Sequence, residues 1–129
     1  MIAVVATVAG TFAIDLETEE VGPWDGPFEP VPGAAVRLPR LIAAAASGPT
    51  VVAVVDAKPP LVVSHDAGTT WRESGRGLPE GRAIAIAEDD PDTALFAGRN
   101  RLYVTRDGGV FWRALAVELP EIEAVTLRD

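Results

Sequence analysis

Three adjacent residues, Ser64, His65 and Asp66, are of the types that form a hydrolase catalytic triad. A triad requires the serine hydroxyl, the imidazole and the carboxylate to converge on one point. Neighbouring residues of an extended strand point to opposite faces, so these three side chains cannot converge. We therefore interpret His65 as an exposed residue and expect no serine hydrolase site.

The acidic residues from Glu88 to Asp92 place several carboxylate groups close together, and calcium prefers oxygen ligands. The run lacks the spaced ligands and the bidentate glutamate of a calcium-binding loop, so it predicts a solvated turn. The absence of cysteine and the single histidine exclude thiolate and multi-histidine zinc sites. We expect no metal and no cofactor.

Length and charge narrow the classes of protein further. A chain of 129 residues with 48% apolar residues predicts one domain with a sizeable core. A net charge of −8 argues against nucleic acid as a partner. The apolar start from Met1 to Ala9 lacks the basic residues of a signal peptide, and no run reaches the ~18 apolar residues that a membrane span needs. We expect a soluble, cytoplasmic protein without membrane contact.

The elements that carry these residues are short and β-like. Apolar runs rich in valine, isoleucine and alanine alternate with clusters of glycine, proline and aspartate, while helical periodicity is scarce. Two octapeptides, residues 64–71 and 105–112, match each other at an offset of 41 residues. That period is typical of a four-stranded propeller blade.

Both octapeptides resemble the Asp-box, or BNR repeat, whose pattern is Ser/Thr-x-Asp-x-Gly-x-x-Trp. All four defining positions are kept in each copy, as Ser64, Asp66, Gly68 and Trp71, and as Thr105, Asp107, Gly109 and Trp112. The resemblance covers about residues 41–129 and implies an all-β propeller. Turn chemistry explains each position, because aspartate accepts amide hydrogen bonds, glycine adopts positive φ and tryptophan covers the hairpin. We therefore expect structural rather than catalytic roles.

Strand register outward from the octapeptides predicts a single half-propeller domain, 1–129. Residues 41–82 and 83–121 form two complete Asp-box blades. Residues 1–40 form a degenerate blade that lacks its inner strand, has an outer strand near 24–28, and replaces the box by an acidic turn at Glu17–Glu20. Residues 122–129 form an inner strand that closes a neighbouring blade.

About three blades are too few for a closed ring, and an open arc exposes apolar edges. A homodimer that closes a six-bladed ring removes those edges, with Ile122–Leu127 of one chain completing the first blade of the other. The alternatives are an open three-blade wedge, a β-sandwich, and a fragment of a longer protein whose missing blades come from elsewhere.

Asp-box propellers include sialidases, sortilin-like sorting receptors and a photosystem assembly factor. A sialidase site would imply an arginine cluster, a tyrosine nucleophile paired with a glutamate, and an aspartate acid. The only tyrosine, Tyr103, falls on a third strand away from the central channel, so no catalytic residue is transferred from this resemblance.

Seven of the eleven basic residues are predicted on one loop face, opposite the acidic face that carries the octapeptides. They are Arg37, Arg40, Lys58, Arg76, Arg82, Arg99 and Arg101. We expect a non-catalytic binding or scaffold protein whose basic funnel holds a small anionic ligand, an acidic peptide or a protein partner. The alternatives are solubilising loop residues, partly neutralised by Asp56, Glu80, Glu118 and Glu121, and a glycan-active hydrolase or lectin-like protein.

Overall fold

A computed structural model of the chain describes residues 1–30 and 33–128. Within these ranges the chain forms twelve β-strands and no helix, which confirms the predicted all-β class. Strand formation follows from runs of β-branched residues, which pack well on a pleated surface. All six residues of Thr50–Val55, for example, are buried in one strand.

The strands follow one another along the chain as β1 (Ile2–Thr7), β2 (Gly10–Asp15), β3 (Val21–Pro23), β4 (Leu41–Ser47), β5 (Thr50–Val55), β6 (Leu61–Ser64), β7 (Arg72–Ser74), β8 (Ala83–Ala87), β9 (Asp90–Ala97), β10 (Arg101–Thr105), β11 (Arg113–Glu118) and β12 (Ile122–Arg128). They form three antiparallel sheets of four strands. Sheet I has the order β12-β1-β2-β3, sheet II the order β4-β5-β6-β7, and sheet III the order β8-β9-β10-β11.

The last strand completes sheet I within its own chain. β12 pairs with β1 in antiparallel register, from Ile2 opposite Arg128 to Thr7 opposite Ile122. The sequence predicts that this strand completes the first blade of a second chain instead. Only three residues separate β12 from β11, and its Ile122 and Val125 are buried in the core cluster that joins sheets I and III of the same chain.

The outer strand of sheet I is β3, at Val21–Pro23, rather than a strand near residues 24–28 as predicted. Pro23 and Pro27 have no N–H to donate to a strand ladder, which limits pairing in this stretch. The Trp24 amide still donates to the Thr11 carbonyl at 3.0 Å, and its indole N–H donates to the Pro27 carbonyl at 3.2 Å. The first bond continues the pairing with β2 as far as Trp24, and the second closes a turn over residues 24–27, where the prediction extended a strand.

Sheet III lies between the other two sheets and is apolar on both faces. Alternate residues such as Ala85, Leu95 and Leu102 belong to a buried cluster shared with sheet I. Intervening residues such as Ile84 and Phe96 belong to a cluster shared with sheet II. The period of two in a strand therefore assigns each side chain to one of two interfaces.

The three sheets form an open arrangement with sheets I and II at its ends. β8 contacts both β12 and β4, while sheets I and II share no comparable contact in the described residues. The segment 24–40 joins these two end sheets, and the Ala34 amide in it donates to the Ala44 carbonyl of β4 at 3.2 Å. On the side of sheet II away from sheet III, Ala53 is nevertheless fully buried.

Candidate functional site

The first octapeptide closes the turn between β6 and β7 through one serine and one aspartate. The Ser64 hydroxyl donates to Asp66 Oδ1 at 2.7 Å and accepts the Gly68 amide at 2.8 Å. Asp66 Oδ1 also accepts the Thr70 amide at 2.8 Å, and Oδ2 accepts the Thr70 hydroxyl at 2.6 Å. These contacts engage the hydroxyl and both carboxylate oxygens within the turn.

The second octapeptide repeats the same scheme between β10 and β11. The Thr105 hydroxyl donates to Asp107 Oδ1 at 2.8 Å and accepts the Gly109 amide at 3.0 Å. Asp107 Oδ1 accepts the Phe111 amide at 3.0 Å, from the position equivalent to Thr70. The two turns therefore share one hydrogen-bonding mechanism despite different residues at the variable positions.

These hydrogen bonds favour the ionised aspartates. The Thr70 hydroxyl and amide, followed by the Ser64 hydroxyl, lower the pKa of Asp66 from 3.8 to about 2. The Phe111 amide and the Thr105 hydroxyl lower the pKa of Asp107 in the same way. This environment favours the ionised carboxylate of each aspartate, which accepts hydrogen bonds. Neither aspartate is therefore suited to donate a proton at neutral pH.

The three residue types of a hydrolase triad do not assemble into one. Ser64 and Asp66 bond directly to each other, whereas the exposed His65 ring places Nδ1 3.2 Å from the Thr50 hydroxyl. Its Nε2 lies 3.5 Å from an Arg72 guanidinium nitrogen. The imidazole therefore lies apart from the Ser64 hydroxyl that it would have to activate.

The octapeptide tryptophans occupy different surroundings. The Trp112 indole N–H donates to the Ser74 hydroxyl of sheet II at 2.9 Å, and that buried hydroxyl donates to the Gly109 carbonyl. Trp112 also packs edge-on against Phe96, with ring centroids 6.2 Å apart. It thus joins sheet III to sheet II. Trp71 stands at the equivalent position of sheet II and is half-buried.

The acidic turn after β2 has a role that its sequence does not indicate. The Glu17 carboxylate accepts a hydrogen bond from Arg106 at 3.0 Å and one from the amino terminus of Met1 at 3.1 Å. Glu19 accepts an Arg113 N–H at 3.3 Å and the Ala116 amide at 2.7 Å. The turn therefore fastens sheet I to sheet III. Its sequence signal is only a cluster of glutamates, which is also typical of a solvated loop.

Asp15, which no sequence pattern singled out, shapes this turn. Its carboxylate accepts the Glu17 amide at 2.8 Å and the Thr18 amide at 3.0 Å. These two amides lower the pKa of Asp15, with the Thr18 amide contributing most. An aspartate followed by a short polar turn was the available signal.

The predicted basic residues separate into groups in the structure. The Glu121 carboxylate forms ion pairs with Arg99 at 3.0 Å and with Arg82 at 3.5 Å, on the loop face opposite the octapeptides. Arg101 pairs with Glu118 at 3.0 Å. Among the described residues, no ion pair joins the remaining predicted cations, which are Arg37, Arg40, Lys58 and Arg76.

Position divides these cations further. Arg40 and Arg82 directly precede the inner strands β4 and β8, and Glu121 directly precedes β12. Arg76 lies instead at the outer rim, where it lines a cavity with Lys58 and Glu73. The structure therefore places Arg82 and Arg99 together around Glu121, and separates Arg76 from them.

A cavity of about 320 Å³ lies along the three inner strands. Its lining combines small and branched apolar residues with one carboxylate, Glu88. Tyr103 lies on β10 instead and packs against Phe96, with ring centroids 5.8 Å apart. In the described ranges, no three histidine, aspartate or glutamate side chains converge as metal ligands.

Comparison with known protein families and with curated proteins found no match to this chain. None of the described residues belongs to a helix that is long and apolar enough to cross a membrane. The functional interpretation therefore depends on the geometry of the sheets, turns and charged faces themselves.

Proposed function

We propose that this chain is a non-catalytic binding or scaffold protein whose arginine-bearing loop face holds an anionic ligand or an acidic peptide. The observation that carries this proposal is the sharing of Glu121 between Arg82 and Arg99. Arg99 has 76% of its side chain exposed, so its remaining N–H donors are accessible to solvent. A carboxylate or phosphate of a ligand offers these guanidinium groups the same kind of pairing.

We further propose that the chain is half of an Asp-box propeller. Support comes from the hydrogen bonds that two octapeptides 41 residues apart share, each between the third and fourth strands of a four-stranded sheet. Sheets I and II end the open arrangement, and two copies related by a two-fold axis would close it as a six-bladed ring.

A glycan-active hydrolase or a lectin receives less support. Such a site needs carboxylates and aromatic side chains around the central cavity. Glu88 is the one carboxylate in the described lining, and no aromatic residue accompanies it.

Ligand binding is tested by calorimetric titration of the protein with inorganic phosphate and with an oligoglutamate peptide. We expect one of these probes to bind, and expect Arg99→Gln and Arg82→Gln to weaken binding. Arg128→Gln is the matched control, because it removes the same charge from the opposite end of an inner strand. Equal binding by all three variants, or no binding of either probe, would contradict the proposal.

Ring closure is tested by native mass measurement at low protein concentration. We expect a particle of twice the 13.5 kDa chain mass. A stable 13.5 kDa monomer would rule out the two-chain ring while leaving the ligand proposal to its own titration.

A further inference from the structure

Two contacts between a turn and a neighbouring outer strand are related by the internal repeat. The turn after β2 lies against β11, and the turn after β10 lies against β7. In the first contact, the Glu19 carboxylate fills the space between turn and strand. It accepts the Ala116 amide at 2.7 Å and an Arg113 N–H at 3.3 Å.

In the second contact, β7 takes the place of β11, and the turn supplies no carboxylate to that strand. The 41-residue offset places Arg72 at the position of Arg113 and Gly75 at the position of Ala116. Strand pairing supports this correspondence, because Arg72 lies opposite Val63 and Arg113 lies opposite Val104, which are themselves 41 residues apart.

Two glycines lie in the turn that faces β7. Gly108 and Gly109 are both buried there, and a Cβ on Gly109 would meet the Ser74 hydroxyl oxygen at 3.0 Å, so the turn packs closely on Ser74. A cavity of about 300 Å³ lies beside this contact. Its lining includes Arg72, Ser74, Gly75, Arg76, Gly109 and Val110. Among the described residues, the turn after β10 therefore brings no carboxylate into an ion pair with Arg72, whereas the turn after β2 brings Glu19 to Arg113.

The charges around this cavity favour an anion. Arg72 and Arg76 line it together with a single acidic residue, Glu73. Arg72 lies 3.5 Å from His65, and within the described chain no carboxylate reaches ion-pair distance of its guanidinium. The planar guanidinium fork matches the geometry of a carboxylate.

We propose that this rim cavity is a carboxylate-binding site, built on the pattern by which Arg113 holds Glu19. The ligand is either an acidic side chain presented by an extended peptide or a small free dicarboxylate. The proposal does not depend on the basic loop face, since it uses Arg72 and the turn at Gly108–Val110 at the outer rim between sheets II and III.

The test is a titration followed by backbone amide NMR, with two probes that distinguish the sources. Glutarate supplies a free carboxylate, and acetyl-Ala-Ala-Glu-Ala-Ala-amide supplies a glutamate side chain, with the glutamine version of the peptide as its control. We expect saturable shifts of the Gly75, Gly109 and Val110 amides with glutarate or with the glutamate peptide. The probe that binds identifies the source.

Variants then assign the binding to the cavity. Arg72→Gln should weaken binding about tenfold or more, as expected for loss of a hydrogen bond to a charged group. Arg128→Gln, with the same charge change on sheet I, should leave it unchanged. Binding that is equal in Arg72→Gln and the wild type would overturn the proposal, as would the absence of saturable shifts with both probes.

A substitution in the turn provides a second, independent readout. Val110 has 76% of its surface exposed, so the fold tolerates a polar residue there. Val110→Glu supplies a carboxylate within the chain and should block the external probe, as Glu19 does in the related contact. Val110→Gln, of nearly the same shape, should still bind. Undiminished binding in Val110→Glu would count against the site.

Discussion

At the scale of single residues, two aspartates organise the turns by accepting hydrogen bonds in their ionised form. Asp66 accepts two from Thr70 and one from Ser64, and Asp107 accepts from Phe111 and Thr105. Because these bonds are made to the charged carboxylate, turn geometry and protonation are linked.

This linkage predicts acid sensitivity that originates in the first octapeptide. The folded state lowers the pKa of Asp66 to about 2 from its ordinary 3.8, so its stabilising contribution is complete above the ordinary value and is lost as the pH falls toward 2. We expect Asp66→Asn to unfold more readily than the wild type at pH 7, with the difference shrinking at acidic pH. Urea unfolding at several pH values measures this.

The control for that series is Asp89→Asn, which changes an exposed carboxylate in a turn. Its unfolding curve should follow the wild type across the same pH range. A constant difference between Asp66→Asn and the wild type at every pH would contradict the linkage.

The buried Ser74 hydroxyl leads to a second prediction at this scale. It accepts the Trp112 indole N–H and donates to the Gly109 carbonyl, so Ser74→Ala leaves two polar groups without a partner. We expect a loss of about 1–3 kcal/mol in the free energy of unfolding. Adding Trp112→Phe removes the stranded N–H, and the combined loss should be less than the sum of the two single losses.

Ser47→Ala serves as the control for this cycle, because its hydroxyl donates to the Glu88 carbonyl on the exposed surface. It should change the free energy of unfolding by less than about 0.5 kcal/mol. Strict additivity of Ser74→Ala and Trp112→Phe would show that the two groups act independently.

At the scale of elements, the acidic turn after β2 closes an edge that the sheets themselves leave open. β11 is the outer strand of sheet III, and its Ala116 amide has Glu19 as acceptor. Unpaired strand edges invite association with other chains. The turn therefore fastens two sheets and also satisfies part of an exposed edge.

We expect Glu19→Ala to destabilise the fold by about 1–2 kcal/mol, since it removes an acceptor of one amide and one guanidinium. Glu19→Gln keeps an oxygen for the amide and should lose less. Glu20→Ala, in the same turn with an exposed side chain, is the control. Thermal unfolding compares the three, and an equal effect of Glu19→Ala and Glu20→Ala would contradict this role.

At the scale of the whole molecule, the open ends of the arrangement decide whether one chain or two form the stable unit. Trp112 lies in the interface between sheets III and II, whereas its counterpart Trp71 lies on sheet II, which ends the arrangement. In the proposed ring, Trp71 would meet the outer strand of the partner's sheet I. The buried Ala53 on that side means that the single chain already shields part of the same surface.

The ring predicts a melting temperature that rises with protein concentration, because association stabilises the folded chains by mass action. We expect Trp71→Ala to abolish that concentration dependence and to reduce the native mass to that of one chain. Trp112→Ala should instead lower the melting temperature at every concentration. A melting temperature independent of concentration in the wild type would exclude the two-chain ring.

The alternation of apolar runs with turn residues was enough to predict the all-β class, and the match between the two octapeptides located two of the turns. These features depend on local physics, namely the alternation of side chains along a strand, the positive φ of Gly68 and Gly109, and the hydrogen bonds that the aspartates accept. The repeat offset of 41 residues also relates Arg72 to Arg113, because their strand partners Val63 and Val104 are 41 residues apart as well.

Only the tertiary structure decided which distant segments meet. β12 returns to β1 of its own chain, Glu19 reaches Arg113, and Glu121 lies between Arg82 and Arg99. Gly81 shows the same limit, because a Cβ there would come within 2.5 Å of Val54, a neighbour invisible in the sequence. Strand geometry alone shows that the adjacent Ser64, His65 and Asp66 do not converge as a triad. Contacts between residues far apart in the sequence depend instead on how whole sheets pack.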